Sequence, residues 1–170
     1  ASNKAPEADK FAATWIKDKP NDVGFMFYLG DYAIARKDYA SAEKSYSSVV
    51  KLQPTNAAAF NNLAWVSGRL NRPNAVELAE KALQLAPQQA AFMDTLAVLL
   101  SDKGDYPKAL EWQNKAILAQ PQNTLFKMNM AKIHIKGGKK DLAKKELDEL
   151  AKLGDKFPNQ AEVTSLLKTL

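Results

Sequence analysis

Apolar side chains return along this chain with the spacing of one helix face. Near the C-terminus Val163, Leu166, Leu167 and Leu170 stand at i, i+3, i+4 and i+7, the stripe that an α-helix lays against a neighbour. Short clusters of turn residues separate such stretches: "KDY" at 37 to 39, "LNRPN" at 70 to 74, "KGDYP" at 103 to 107 and "KGGKK" at 136 to 140. The pattern predicts helices over 5–18, 22–36, 40–52, 56–69, 74–86, 89–103, 106–119, 123–136, 140–153 and 159–169, and every element is helical.

The elements recur with a fixed period. Pro20, Pro54, Pro87 and Pro121 lie 34, 33 and 34 residues apart. Twelve residues before them stand Ala8, Ala42, Ala75 and Ala109, and five before them Trp15, Val49, Ala82 and Ala116. Leu29-Gly30, Leu63-Ala64 and Leu96-Ala97 mark a third position, and a fourth copy continues with Met130-Ala131, Gly138 and Ala143. Small residues at crossing points let paired helices approach closely, whereas large ones would wedge them apart. Pairs of helices of about a dozen residues are marginal alone, so each pair needs its neighbour to cover its apolar face. The period divides a single domain, 1–170, into the second helix of a truncated repeat (5–20), repeats at 23–56, 57–89, 90–123 and 124–158, and a capping helix at 159–170. On this reading the chain is expected to be cut from a longer protein at its start and to reach its natural end at the cap.

The recurring residues resemble the tetratricopeptide repeat (TPR) pattern: a large residue, then Leu-Gly, then Ala, an aromatic and Pro, on a 34-residue period. The resemblance implies an all-α fold, a right-handed superhelical solenoid of antiparallel helix pairs. Met26, Phe60, Met93 and Lys127 replace the usual Trp, and Pro158 comes three residues late, so the fourth copy departs most. Asn61 to Trp65, Ala79 to Ala82, Asp94 to Leu96 and Phe157 to Ala161 are similar to the C-terminal repeats of TPR proteins that accompany bacterial exosortase and PEP-CTERM protein-sorting systems. That resemblance implies a periplasmic or membrane-anchored envelope scaffold linked to surface-protein sorting and exopolysaccharide production; without it a cytoplasmic site is equally compatible with the sequence.

In the family the first helix of each pair lines a concave groove. Carried onto this sequence, the lining positions give the candidates Phe27, Asp31, Ile34, Asn61, Trp65, Arg69, Asp94, Val98, Met128 and Lys132 for binding a partner peptide or protein segment. Trp65 is the sharpest, an aromatic beside Asn61 with the size of an interface anchor. The alternatives are that Trp65 packs only against an adjacent repeat, that Asn61 and Asn62 bridge helices, and that Arg69 is a solvated surface residue. A clamp for chaperone C-terminal carboxylates is rejected, because among the positions it needs only Asn62 matches, with Phe27, Asp31, Ala91 and Thr95 at the others.

Composition narrows the chemistry. The chain has 24 basic and 19 acidic residues, net charge +5, and no cysteine, which excludes disulfides and thiolate metal sites but leaves the compartment open. No apolar run approaches the ~20 residues of a membrane span, so direct membrane insertion of this segment is not expected. Lys132, Lys136, Lys139, Lys140, Lys144 and Lys145 form a basic stretch, but Asp141, Glu146, Asp148 and Glu149 follow at spacings that support ion pairs, and nucleic acid is not an expected partner. His134 is the only histidine and occupies a packing position; no metal site, cofactor site or catalytic residue is expected. Trp112 is read as a lid over the next helix, and Trp15, where a small residue is usual, as a modified contact at an edge that can drive a dimer. The functional expectation is a non-catalytic interaction scaffold. The alternative is an accessory repeat segment of a larger enzyme that presents substrate to an upstream catalytic domain.

Overall fold

The structure is a computed structural model that describes residues 5–170, apart from the side chains of residues 5, 6, 8 and 9, so the small position at Ala8 lies outside the described residues. Among the described residues the elements are ten α-helices and one 3-10 turn, with no strand: α1 (Ala5–Asp18), α2 (Val23–Ala35), α3 (Tyr39–Leu52), α4 (Ala57–Arg69), α5 (Ala75–Leu85), α6 (Ala90–Asp102), α7 (Tyr106–Ala119), α8 (Thr124–Lys136), α9 (Lys140–Ala151), the 3-10 turn (Gly154–Lys156) and α10 (Gln160–Leu167). The fold is all-α, and the helix ends lie within two residues of those expected from the sequence. The 3-10 turn is an addition; it follows the early end of α9, with Gly154 at φ 53.

One turn geometry joins the first and second helix of every pair. Lys37, Asn71, Gly104 and Gly138 take φ values of 59, 54, 83 and 74. In each turn the next backbone N–H, from Asp38, Arg72, Asp105 or Lys139, returns to the carbonyl of Ala33, Ser67, Leu100 or His134 and satisfies the open end of the first helix. Several helices then start on a side-chain cap. Asp38 and Asp105 accept the N–H groups of Ser41 and Lys108 at 3.1 and 3.3 Å, and Asp22, Asn56 and Asn123 accept those of Phe25, Ala59 and Leu125 at 2.9, 3.0 and 3.2 Å. Each such cap stabilises its helix by about 1 kcal/mol.

The helices form two compact units, one within Ala1–Leu85 and one within Ala86–Leu170. In the first, α2 packs on α3, α4 on α5, and α3 against α4. Ala42, Ala64, Ala75, Ala79 and Ala82 are buried in these contacts, as the small-residue period requires. Ile16 of α1 joins Met26, Val49 and Ala59 in one apolar cluster. In the second unit α6 packs on α7, α8 on α9 and α7 against α8, with α6 beside α8 and α10 against α9. Ala97, Ala109, Ala116, Ala131 and Ala143 are buried there. The C-terminal stripe faces inward: Val163 is buried with Leu147, Leu150 and Phe157, and Leu166, Leu167 and Leu170 pack around them.

Candidate functional site

In the first unit the candidate positions converge on the exposed side of α4 and its neighbours. Asn61, Trp65 and Arg69 follow each other at i, i+4 and i+8, one above the next on a single helix face. Trp65 is half-buried, and its ring meets Tyr39 of α3 edge to face, with centroids 5.8 Å apart. The Arg69 guanidinium lies over both rings, 5.5 Å from the Tyr39 centroid and 5.8 Å from that of Trp65. Phe27 and Ile34 of α2 belong with Trp65 and Tyr39 to the apolar layer around Ala33, Ala42, Tyr46, Leu63 and Val66. Asp31, otherwise exposed, accepts the Tyr46 hydroxyl at 2.5 Å. Burial, and then that carboxylate, push the Tyr46 phenol well above its ordinary range, so it remains a donor. Asn61 makes only a long hydrogen bond, its Nδ2 donating to Asn62 Oδ1 at 3.4 Å, and its own Oδ1 is buried without a partner.

The charged candidates in the second unit, Asp94 and Lys132, are paired within the chain. Gln113 of α7, 0% exposed, donates through Nε2 to Asp94 Oδ1 at 2.6 Å and to the Phe126 carbonyl at 2.9 Å. Asn129 of α8 donates to both oxygens of the same carboxylate at 3.0 Å. Burial raises the Asp94 pKa above its ordinary value, and the Asn129 and Gln113 donors with the nearby Lys132 charge only partly offset it. Lys132 pairs with Glu162 of α10 at 2.6 Å, and Lys136 with Asp102. Val98 is half-buried. Met128, at a lining position in the repeat, is only 3% exposed, because it belongs to the apolar cluster that α10 completes with Val163, and it offers no surface to a partner.

Tyr46 and Gln113 stand 67 residues apart, as do Asn62 and Asn129, whereas the carboxylates Asp31 and Asp94 stand 63 apart, so the two networks share the second-helix position and place the acid one helical turn differently. In each, a second-helix side chain donates to a carboxylate of its own first helix, and in the second unit Asn129 of the following first helix donates to that carboxylate as well. Sequence reasoning missed Tyr39, Gln113 and Asn129 as parts of these sites. The recurrence of Asn at two periods was the available signal for Asn129.

A separate feature runs over α1 and α2. Trp15 packs between Phe11 and Phe25, at 5.6 and 5.5 Å between centroids, and its Nε1 donates to Asp22 Oδ2 at 2.9 Å. That bond and the Phe25 N–H lower the Asp22 pKa, the backbone donor contributing more. Phe25, Tyr28 and Tyr32 continue the row of rings, and Phe11 and Tyr28 are 57% and 58% exposed. Trp112 is half-buried under Lys115, whose Nζ sits 4.1 Å from the ring centroid. Within the basic stretch Lys144 pairs with Asp148 at 2.7 Å, and Lys140 donates to the Leu170 carbonyl at 3.2 Å. His134 is half-buried, its Nδ1 without a partner, and burial lowers its pKa. Among the described residues no cluster of three or more His, Cys, Asp or Glu side chains has the arrangement of a metal site, and no helix is long and apolar enough to cross a membrane.

The tetratricopeptide repeat family profile matches residues 5–57, 27–90 and 62–124, overlapping segments that cover well over half the chain. No curated protein matches it by sequence. Solved structures do by shape. MamA from Desulfovibrio magneticus RS-1 is 18% identical with a TM-score of 0.76, over 91% of this chain and 88% of that one. A thermophilic TPR protein of Thermus thermophilus is 14% identical with a TM-score of 0.77, over 93% and 88%. PilW, a widely conserved type IV pilus biogenesis factor, is 18% identical with a TM-score of 0.75, over 96% and 81%. At these identities the likeness is one of fold.

Proposed function

Because the chain belongs to the tetratricopeptide repeat family, we propose that it is a non-catalytic scaffold that binds a protein or peptide segment on the α4 face of its first unit. The observation that carries this reading is the combination on one helix face of a half-buried Trp65, an exposed Arg69 and a half-buried Asn61. Aromatic and arginine side chains are the usual anchors of such surfaces, and a face already held rigid by Tyr39 and Phe27 lowers the ordering cost of binding. The second unit is the weaker candidate, since Asp94, Lys132 and Lys136 already have partners within the chain. The segments similar to exosortase-system repeats support a place for this scaffold in bacterial envelope protein sorting and exopolysaccharide assembly. Capture from the envelope fraction of the native organism tests the reading: wild type retains a partner that Trp65→Ala with Asn61→Ala loses, and equal recovery by both excludes the α4 face.

A second reading, self-association through the α1–α2 edge, is favoured by the row of rings from Phe11 to Tyr32 with Phe11 and Tyr28 both more than half exposed. Contiguous exposed aromatics are rare on a free surface. Sedimentation velocity over a range of concentrations reads it directly: a dimer that Tyr28→Ser dissolves supports the edge, and a monomer at all concentrations removes it.

A further inference from the structure

We infer that Arg69, held on the rings of Trp65 and Tyr39, is a receptor for a carboxylate side chain, so that the segment bound at the α4 face is an acidic peptide; this rests on the reading of that face as the binding surface. The guanidinium stands 5.5 and 5.8 Å from the two ring centroids, within the range of cation–π attraction. It is exposed, and no carboxylate pairs with it among the described residues. The comparison with the other lining cations is direct: Lys132 holds Glu162 and Lys136 holds Asp102, and each is thereby neutralised from within the chain.

The two rings meet the Arg69 guanidinium at cation–π distance, and among the described residues no carboxylate accepts a hydrogen bond from its N–H groups. A guanidinium carries coplanar N–H donors in the fork that fits two carboxylate oxygens, which a lysine ammonium cannot offer. The rings do two further things. They restrict a side chain that would otherwise lose rotamer freedom on binding, and their apolar surface beside the charge gives an acidic ligand an apolar contact next to its carboxylate. Phe27, Ile34 and the exposed part of Trp65 lie in the same layer, so the fitting ligand places an Asp or Glu beside apolar residues in an extended or helical segment.

The test uses the full chain and an array of peptides of about 12 residues graded in Asp and Glu content, with neutral, basic and phosphoserine peptides alongside. Affinities are measured in solution for the retained sequences, against wild type, Arg69→Gln and Trp65→Ala, each checked for helicity. The expected result is enrichment of Asp or Glu next to apolar residues, affinity that falls as salt rises, and a loss of about tenfold in Arg69→Gln for acidic peptides only. Retained peptides without acidic enrichment, or acidic peptides bound equally by Arg69→Gln, overturn the carboxylate receptor while a Trp65→Ala effect still upholds the α4 face. Preference for phosphoserine over Asp and Glu also overturns it. Binding of no peptide class, or binding that Trp65→Ala leaves unchanged, overturns both.

Discussion

The ring of Tyr46 rests on the backbone of Gly30: a Cβ at Gly30 would stand 2.5 Å from Tyr46 Cζ, inside any real carbon contact. Glycine is therefore required where α2 crosses α3. The ring cannot yield, since it is fully buried and its hydroxyl is fixed on Asp31. Gly30→Ala is expected to destabilise the chain by about 1–3 kcal/mol, the range of overpacked cores, read as a lower urea midpoint. Combining it with Tyr46→Leu should recover part of the loss, because the clash disappears with the ring. A Gly30→Ala midpoint equal to wild type would contradict the close approach.

The four pair-joining turns differ in sequence but share one left-handed residue, which gives a paired test. Lys37 holds φ 59 with a side chain, while Gly104 holds φ 83 without one. Lys37→Gly should raise stability by about 0.5 kcal/mol, strain relieved less the added freedom of the unfolded chain. Gly104→Ala should lower it by about 1 kcal/mol. Thermal unfolding of the two variants checks both signs, and changes of the same sign would contradict the shared turn.

Asp94 gives the pH dependence. Burial raises its folded pKa above the 3.8 of an ordinary Asp, so the folded chain holds this proton more tightly than the unfolded one. The favourable contribution is complete below the unfolded value and is lost as pH rises through the folded one. The stability of wild type relative to Asp94→Asn is accordingly expected to fall with rising pH over that interval. A carboxyl NMR titration locates the folded value directly; a midpoint at or below 3.8 would contradict the burial argument.

The helices were legible because several independent signals share one period: prolines, small residues and the four turn residues all return together. Any one would place the elements, and their agreement fixes the boundaries. The side-chain arrangement was less legible, because it depends on what a neighbouring helix brings. Tyr39 sits in a turn cluster, and only the packing of α3 against α4 carries its ring to Trp65 and Arg69. Gln113 occupies a position where an aromatic is usual, and its two acceptors come from different helices. Met128 has the register of a lining residue yet is buried, since α10 completes the cluster over it. Trp15 fits where a small side chain is expected because its indole is tied to Asp22 and flanked by two phenyl rings.

A scaffold of this kind works only if the exposed face of α4 is the surface that meets a partner. The most direct measurement is a backbone and side-chain NMR map of this chain titrated with a captured peptide. Binding on that face should shift the Asn61 amide, the Trp65 indole and the Arg69 guanidinium, with the outward Leu118 and Leu142 unmoved. Shifts confined to Leu118 and Leu142, or to the Phe11 and Tyr28 edge, would place the partner elsewhere and refute the α4 surface.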